Sequence, residues 1–358
     1  MPSFARLLLL VVTVPFLHGC YLLQAAQGQM QIASKREPIE TVLRRDSTPE
    51  QTRKRLEYAS AARDFASHEL HLPDNASYRS YADLGRDSVV WNVFATKEFS
   101  VEPKRWCFPI VGCVVYRGYF KEASARRYAL HLRMRGYDAM VGGVPAYSTL
   151  GHFNDPILNT MMGWSDAQLA ATLFHELAHQ LIYVPGDSQF NETFATAVEE
   201  VGLERWLVSI GQPQQLVAWR KYQDRQEQFI QLLLRTRDRL RTLYASNLPE
   251  EQMRASKQTV FGELKFEYTT LRASWSGYAG YDRWFDRALN NAHLVSAATY
   301  HGCLPGFMRI LDSVGGDLPR FYDEVRRISK LAQEERTAVV CGDDQERGIT
   351  TKNTKTTK

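Results

Sequence analysis

After its first twenty residues the chain contains no uninterrupted apolar run of 18 residues, so nothing there reads as a membrane-spanning helix. Cysteine is scarce, five in 358 residues, with no CxxC spacing, and beyond Cys20 only His301 stands near any of them, which argues against a structural zinc module built on thiolates. An excess of one charge is also missing. The 44 Lys and Arg against 40 Asp and Glu leave a formal +4, and the basic residues are interleaved with acids, so no nucleic-acid partner is expected. With 44% hydrophobic residues the chain can bury a substantial core, as one large domain or two lobes.

What the sequence does contain is His175-Glu176-Leu177-Ala178-His179, an HExxH motif inside an apolar, helix-forming run. Ser165 and Gln168 form a capping box ahead of it. Leu169, Leu173, Phe174, Leu177, Leu181 and Ile182 then recur at helical spacing until Pro185-Gly186 stops the run. Residues four apart on a helix differ by about 40° in angle and roughly 6 Å in rise, so the two imidazoles project from one face toward a common point that suits a zinc ion. Glu176 lies on nearly the same face, placed to deprotonate a water rather than to bind the metal. The alternative is a histidine pair lining a core helix, but a glutamate on that buried face would then need a partner.

A catalytic zinc takes three protein ligands and keeps one position open. After the 184–189 loop a second helical pattern begins near Asn191, with Phe194, Val198, Val201, Leu203, Trp206 and Leu207, and closes at Gly211. Glu192 opens that helix and can face back onto the histidines, which makes it the expected third ligand. Glu199 and Glu200, two turns on, are its rivals or partners for a ring nitrogen. One Zn2+ per chain is the expected cofactor.

The N-terminus carries Arg6, an apolar run from Leu7 to Phe16, then Leu17-His18-Gly19-Cys20, which reads as a signal peptide over residues 1–19. Leu17, Gly19 and Cys20 match a bacterial lipobox, so Cys20 is expected to be acylated. Several acyl chains would hold the protein to the membrane with its body in the periplasm. Tyr21, in place of an aspartate, favours the outer membrane. The remaining Cys107, Cys113, Cys303 and Cys341 are even in number, as disulfides in such a compartment require. Pairing of Cys107 with Cys113 and of Cys303 with Cys341 is favoured among three connectivities.

The expected fold class is α+β: a small mixed or antiparallel sheet lobe packed on the HExxH helix, followed by a mainly helical lobe with a long helical hairpin. An N-terminal segment, 20–74, reads as two helices over 21–45 and 48–70. The catalytic lobe, 75–211, shows strands at 88–95, 111–120 and 138–149, with a helix from Glu122 to Arg135 between the last two. In the helical lobe, 212–341, long charged runs at 214–245 and 250–274 meet at Asn247-Leu248-Pro249, and shorter helices follow near 281–289, 304–314 and 318–333. The polar tail 342–358 reads as disordered.

HELAH followed by Asn191-Glu192-Thr193-Phe194-Ala195 resembles the gluzincin metallopeptidases, whose third ligand is a glutamate on a downstream helix. More widely, Gly19-Cys20-Tyr21, Gln24 to Gln29, Asn154 to Leu158, Asn290-Asn291-Ala292 and Thr299-Tyr300 make the chain similar to a family of bacterial aminopeptidase lipoproteins. The resemblance implies a zinc peptidase acting on peptide substrates. It points to Tyr300 as oxyanion donor, with Tyr278 and Tyr281 as competitors. It also implies a substrate strand added to the sheet edge at 138–149, where Pro145 favours an edge position. The GxMEN element by which many gluzincin aminopeptidases bind a free α-amine is missing, leaving Glu199, Glu200 and Asp155 as the available carboxylates. An endopeptidase, or a non-catalytic envelope lipoprotein with a structural metal, is the competing reading.

Overall fold

A computed structural model of the chain describes residues 23–108, 112–146, 148–296 and 303–349. Cys20, Tyr300, the leader and residues 350–358 lie outside them. The fold is α+β, with small sheets set among many helices.

The N-terminal part differs from the two expected helices. Helix α1 covers 23–34, and the chain then turns extended at β1 (Arg36–Pro38) before a short α2 (Ile39–Leu43). Pro38 has no N–H to give a helix interior, so it breaks the run and caps α2 instead. Helix α3 (Glu50–His68) begins after Pro49 and lays Leu56, Ala59, Ala62 and Ala66 into the core. Strand β2 (Ser80–Ala82) joins β1 to β8 (Ile157–Leu158) in a three-stranded sheet.

The second sheet has β3 (Val90–Lys97) at its centre, with β6 (Arg117–Tyr119) and β7 (Tyr137–Val144) antiparallel on either side. Among the described residues β7 is an outer strand, as expected from Pro145, and β6 is the other. The single strand read at 111–120 is divided. Its first part, β5 (Gly112–Val114), pairs with β4 (Trp106–Phe108) in a hairpin that the Cys107–Cys113 disulfide closes, and only the second part joins the sheet. Helix α4 (Glu122–Met134) covers one sheet face with Ala125, Ala129 and Leu132.

Helices α5 (Asp166–Leu181) and α6 (Ser188–Ser209) form the antiparallel pair at the heart of the main core. Ser165 caps α5 by accepting from the Gln168 N–H at 3.1 Å, which is worth about 1 kcal/mol. Leu169, Leu173, Phe174 and Leu177 are fully buried, each contributing about 1.5–3 kcal/mol. Gly202 permits the close approach of the two helices, because a Cβ there would press on Phe174 and Leu70.

The hairpin is formed by α7 (Gln215–Tyr244) and α8 (Glu250–Ser274), with its own aromatic core of Phe229, Tyr268, Trp275 and Phe285. Two short helices follow, α9 (Asp282–Phe285) and α10 (Asn291–Val295). Residues 212–341 are not packed as one body. Helices α11 (Leu304–Ser313) and α12 (Leu318–Ser329) return to the main core, where Phe307, Phe321 and Tyr322 pack on Phe194 of α6. Helix α13 (Gln333–Ile349) is tied to α11 by the Cys303–Cys341 disulfide. It runs on through 342–349, where a disordered tail was expected, because Asp343 to Arg347 are helix-compatible and prolong a turn already anchored at Cys341. Among the described residues no helix is long and apolar enough to cross a membrane.

Candidate metal centre

The α5 helix carries His175, Glu176 and His179, and α6 carries Glu192 and Glu199. The short connection between the helices is held by side chains. Asp187 caps α6 by accepting from the Phe190 N–H at 3.1 Å, and its other oxygen takes two bonds from the buried Arg336 guanidinium at 2.8 and 2.9 Å. Asn191 clamps Val184 from both sides, accepting from its N–H and donating to its carbonyl, each at 2.8 Å. This clamp fixes the first turn of α6 and so presents Glu192 to the histidines. Asn191 thus has a structural task beside the ligand.

His175 Nε2 lies 3.2 Å from His179 Nε2 and 3.3 Å from Glu192 Oε2, and His179 Nε2 lies 3.7 Å from the same oxygen. Ligands held about 2.0–2.1 Å from a tetrahedral zinc stand about 3.3–3.4 Å apart, so this triangle has the size of one zinc face. The donor chemistry fits as well. His175 Nδ1 meets Glu199 Oε2 at 2.9 Å, so in the neutral ring Nδ1 carries the proton and Nε2 presents a lone pair. That lone pair faces another imidazole nitrogen and a carboxylate, an arrangement that a cation between them relieves. Among the described residues these three form the one group of His, Cys, Asp and Glu side chains placed to hold a metal.

The site's electrostatics agree. Burial lowers the His175 proton affinity, but hydrogen bonding to Glu192 and Glu199 outweighs it and raises the imidazole to about 10. Burial raises Glu192, and the two histidines more than reverse that, holding it well below the carboxylate range. Two carboxylates beside a buried imidazole thus favour a positive charge at this point. Glu199 is therefore the partner that orients His175, and Glu192 the carboxylate that faces both rings.

Two cavities meet at the triad. One, of about 650 Å³, is lined by Glu176, His179, the β6 residue Gly118, and Val144, Ala146 and Ser148 in and after β7. The other, of about 550 Å³, opens on Glu199, Glu200, Asp224, Glu227, Gln223 and Trp219, with no Lys or Arg among the described residues that line it. A larger cavity, of about 810 Å³ between α4, β7 and Arg287, contains none of the triad.

Several residues near the site were not apparent from the sequence. Tyr78 is buried in a left-handed conformation (φ 63°), and burial, then Glu176 and Asp155, push its hydroxyl well above the ordinary range. Arg63, fully buried, sets the preceding loop by donating to the Ser77, Pro73 and Asn75 carbonyls. Tyr183, in the extended segment just past the end of α5, stands edge-on to His179 at 6.3 Å. Asp155 is 2% exposed and accepts from the Thr149 N–H and hydroxyl at 2.8 and 2.9 Å, which orders the cleft loop and removes it from the list of free carboxylates. Tyr281 stacks on Phe229 at 4.0 Å inside the hairpin core, and Tyr278 packs edge-on to it. Both competitors of Tyr300 therefore serve packing, and Tyr300 itself is outside the described residues.

No curated protein and no solved structure matches the chain. A family model does, over residues 20–340, and by that match the chain belongs to the family described as "Putative aminopeptidase".

Proposed function

We propose that the protein is a zinc-dependent aminopeptidase, lipid-anchored at Cys20 and facing the periplasm. The observation that carries this reading is the convergence of His175, His179 and Glu192 on one point at the end of a cleft lined by Glu176. Zinc held there supplies a Lewis acid and brings a water molecule's pKa near 7. The chain's own groups do the rest. Glu176 takes the proton of the attacking water and returns it to the leaving amine. Glu199 fixes the His175 tautomer through Nδ1. A purely structural metal would not need a carboxylate beside it at the mouth of a cavity.

The acidic cavity on the far side of the triad supports an exopeptidase, since Glu199, Glu200, Asp224 and Glu227 give a free α-ammonium a favourable field. The leader and lipobox support the envelope location, and two disulfides among the described residues suit an oxidising compartment. Hydrolysis of one peptide with a free and with an acetylated N-terminus tests the assignment. Cleavage of the free form alone is expected; equal cleavage of both rules out aminopeptidase action.

A further inference from the structure

The cavity of about 810 Å³ shares a wall with the cleft that leads to the triad, and the wall is the pairing of β3 with β7. Trp91 and Gly143 face each other across the two strands and line this cavity, whereas their neighbours Val90, Asn92 and Val144 line the cleft. Side chains alternate between the faces of a sheet, so the two hollows lie on opposite sides of it. A ligand in this cavity therefore leaves the path of a peptide to the triad open.

Its charged lining is out of balance. Among the described residues Arg86, Arg126, Arg133 and Arg287 stand against Asp87 and Glu122. Glu122 is taken by Arg126, whose Nε donates to it at 2.7 Å. Arg133 gives Nε and Nη2 to the Ala139 carbonyl at 3.1 and 2.7 Å and keeps Nη1 free, and the exposed Arg287 has no partner among the described residues. Exposed arginines alone are ordinary solvated charges. His293 is not, being only 4% exposed while it lines the same cavity. In the α10 capping box its Nδ1 accepts the Asn290 N–H at 3.1 Å, so in the neutral ring Nε2 carries the proton, and that N–H has no acceptor among the described residues. Burial above all, and the Arg287 and Arg133 charges with it, hold the imidazole down to about 4, so it stands here as a neutral donor beside two guanidinium groups.

We propose that this cavity is a binding site for a phosphate group, held by Arg287, Arg133 and the His293 Nε2–H. The three free groups are all donors, and they come from the connection after α9, from α4 and from α10. A tetrahedral phosphate offers oxygens in several directions, whereas a carboxylate offers two in one plane, and the guanidinium fork matches a pair of phosphate oxygens. The cavity is larger than one phosphate, so the ligand carries further atoms, for which Trp91, under the Arg86 guanidinium at 5.5 Å, supplies an aromatic wall. An anionic lipid headgroup and a soluble phosphate ester share this chemistry. The inference is independent of the peptidase reading.

Equilibrium dialysis of the full mature chain against radiolabelled inorganic phosphate tests it, with about one saturable site per chain expected. Arg287→Glu, at an exposed side chain without partners, and Arg133→Gln, which keeps a donor for the Ala139 carbonyl, should each weaken binding at least tenfold. Arg235→Glu, an equal change of charge at an exposed position on α7, should not. His175→Ala, which breaks the triad, should bind phosphate as the unmodified chain does. Competition then separates the sources: displacement at lower concentration by glycerophosphoglycerol than by glycerol phosphate marks a lipid headgroup, and the reverse order marks a soluble ester. No saturable binding, equal affinity in Arg287→Glu and Arg235→Glu, or loss of binding in His175→Ala overturns the proposal. Acetate that displaces phosphate at equal concentration overturns it as well.

Discussion

Around Asn291 and around His175 the chain buries comparable sets of polar groups, but only around Asn291 do the hydrogen bonds close on themselves. Asn291 donates to the Glu98 and Ser100 carbonyls at 2.9 and 3.0 Å and accepts from the Tyr244 hydroxyl at 2.8 Å. Its N–H meets Asp138, which also takes the Lys257 ammonium at 2.7 Å. Next to it, Asn290 and His293 complete a capping box on α10. Around His175, two ring nitrogens and a carboxylate oxygen crowd within 3.7 Å of one another, and among the described residues His179 Nδ1 has no hydrogen-bond partner. The first cluster locks the hairpin and α10 to the sheet; the second leaves room among its members for the cation we propose. Both contain residues that the family resemblance singles out, so membership of such a motif does not by itself separate scaffold from chemistry. Satisfaction of donors and acceptors does.

The sharpest way to test this contrast is to disable one cluster and measure the properties of both. Glu176→Gln should lower peptide hydrolysis by about 10²–10⁴-fold with zinc content kept, a result read by steady-state rates and metal analysis on the same sample. Near-normal rates would remove Glu176 from the chemistry. Asn291→Ala should do the opposite, costing about 3 kcal/mol in denaturant unfolding by depriving the Ser100 carbonyl and the Tyr244 hydroxyl of their partner, with zinc content unchanged. Loss of metal with stability intact would break the comparison.

The histidines offer a pH version. Burial holds His293 down to about 4 from 6.5, so the unfolded chain takes up a proton that the folded chain refuses. Stability from this residue is complete above pH 6.5 and should fall by up to about 3 kcal/mol as the pH drops toward 4. His293→Asn should flatten that dependence in unfolding titrations at pH 4.5 and 7; the same slope in both proteins would refute it. The smallest effect is expected from Glu199→Gln, which keeps a hydrogen bond to His175 but loses its charge. Zinc affinity, measured by competition with a chelator, should weaken by about 10–100-fold. No change would mean that Glu199 does not support the ligand.

The long periodic elements were legible in the sequence. Helices α5, α7 and α8 fall within a residue or two of the boundaries set by Ser165, Pro249 and the apolar spacing. The site triad was legible too, because helical geometry converts the His175 and His179 spacing directly into a shared face. What the sequence concealed depends on contacts across long separations. The Cys107–Cys113 hairpin splits a run that reads as one strand, and Pro38 turns a helical pattern into β1 because Ser80 to Ala82 are there to pair with it. The helices after 303 read as part of the hairpin lobe, yet their aromatic faces belong to α6. Gln24 donates to the Gly118 carbonyl 94 residues away, and no local pattern announces it.

Zinc content decides the account most directly. The purified mature protein, dialysed and then analysed for metal, should hold about one zinc per chain, and His175→Ala should hold none while keeping its helical spectrum. A wild-type protein that binds no zinc from an excess of it, or a His175→Ala variant that retains a full equivalent, would contradict the claim that these side chains form a metal centre.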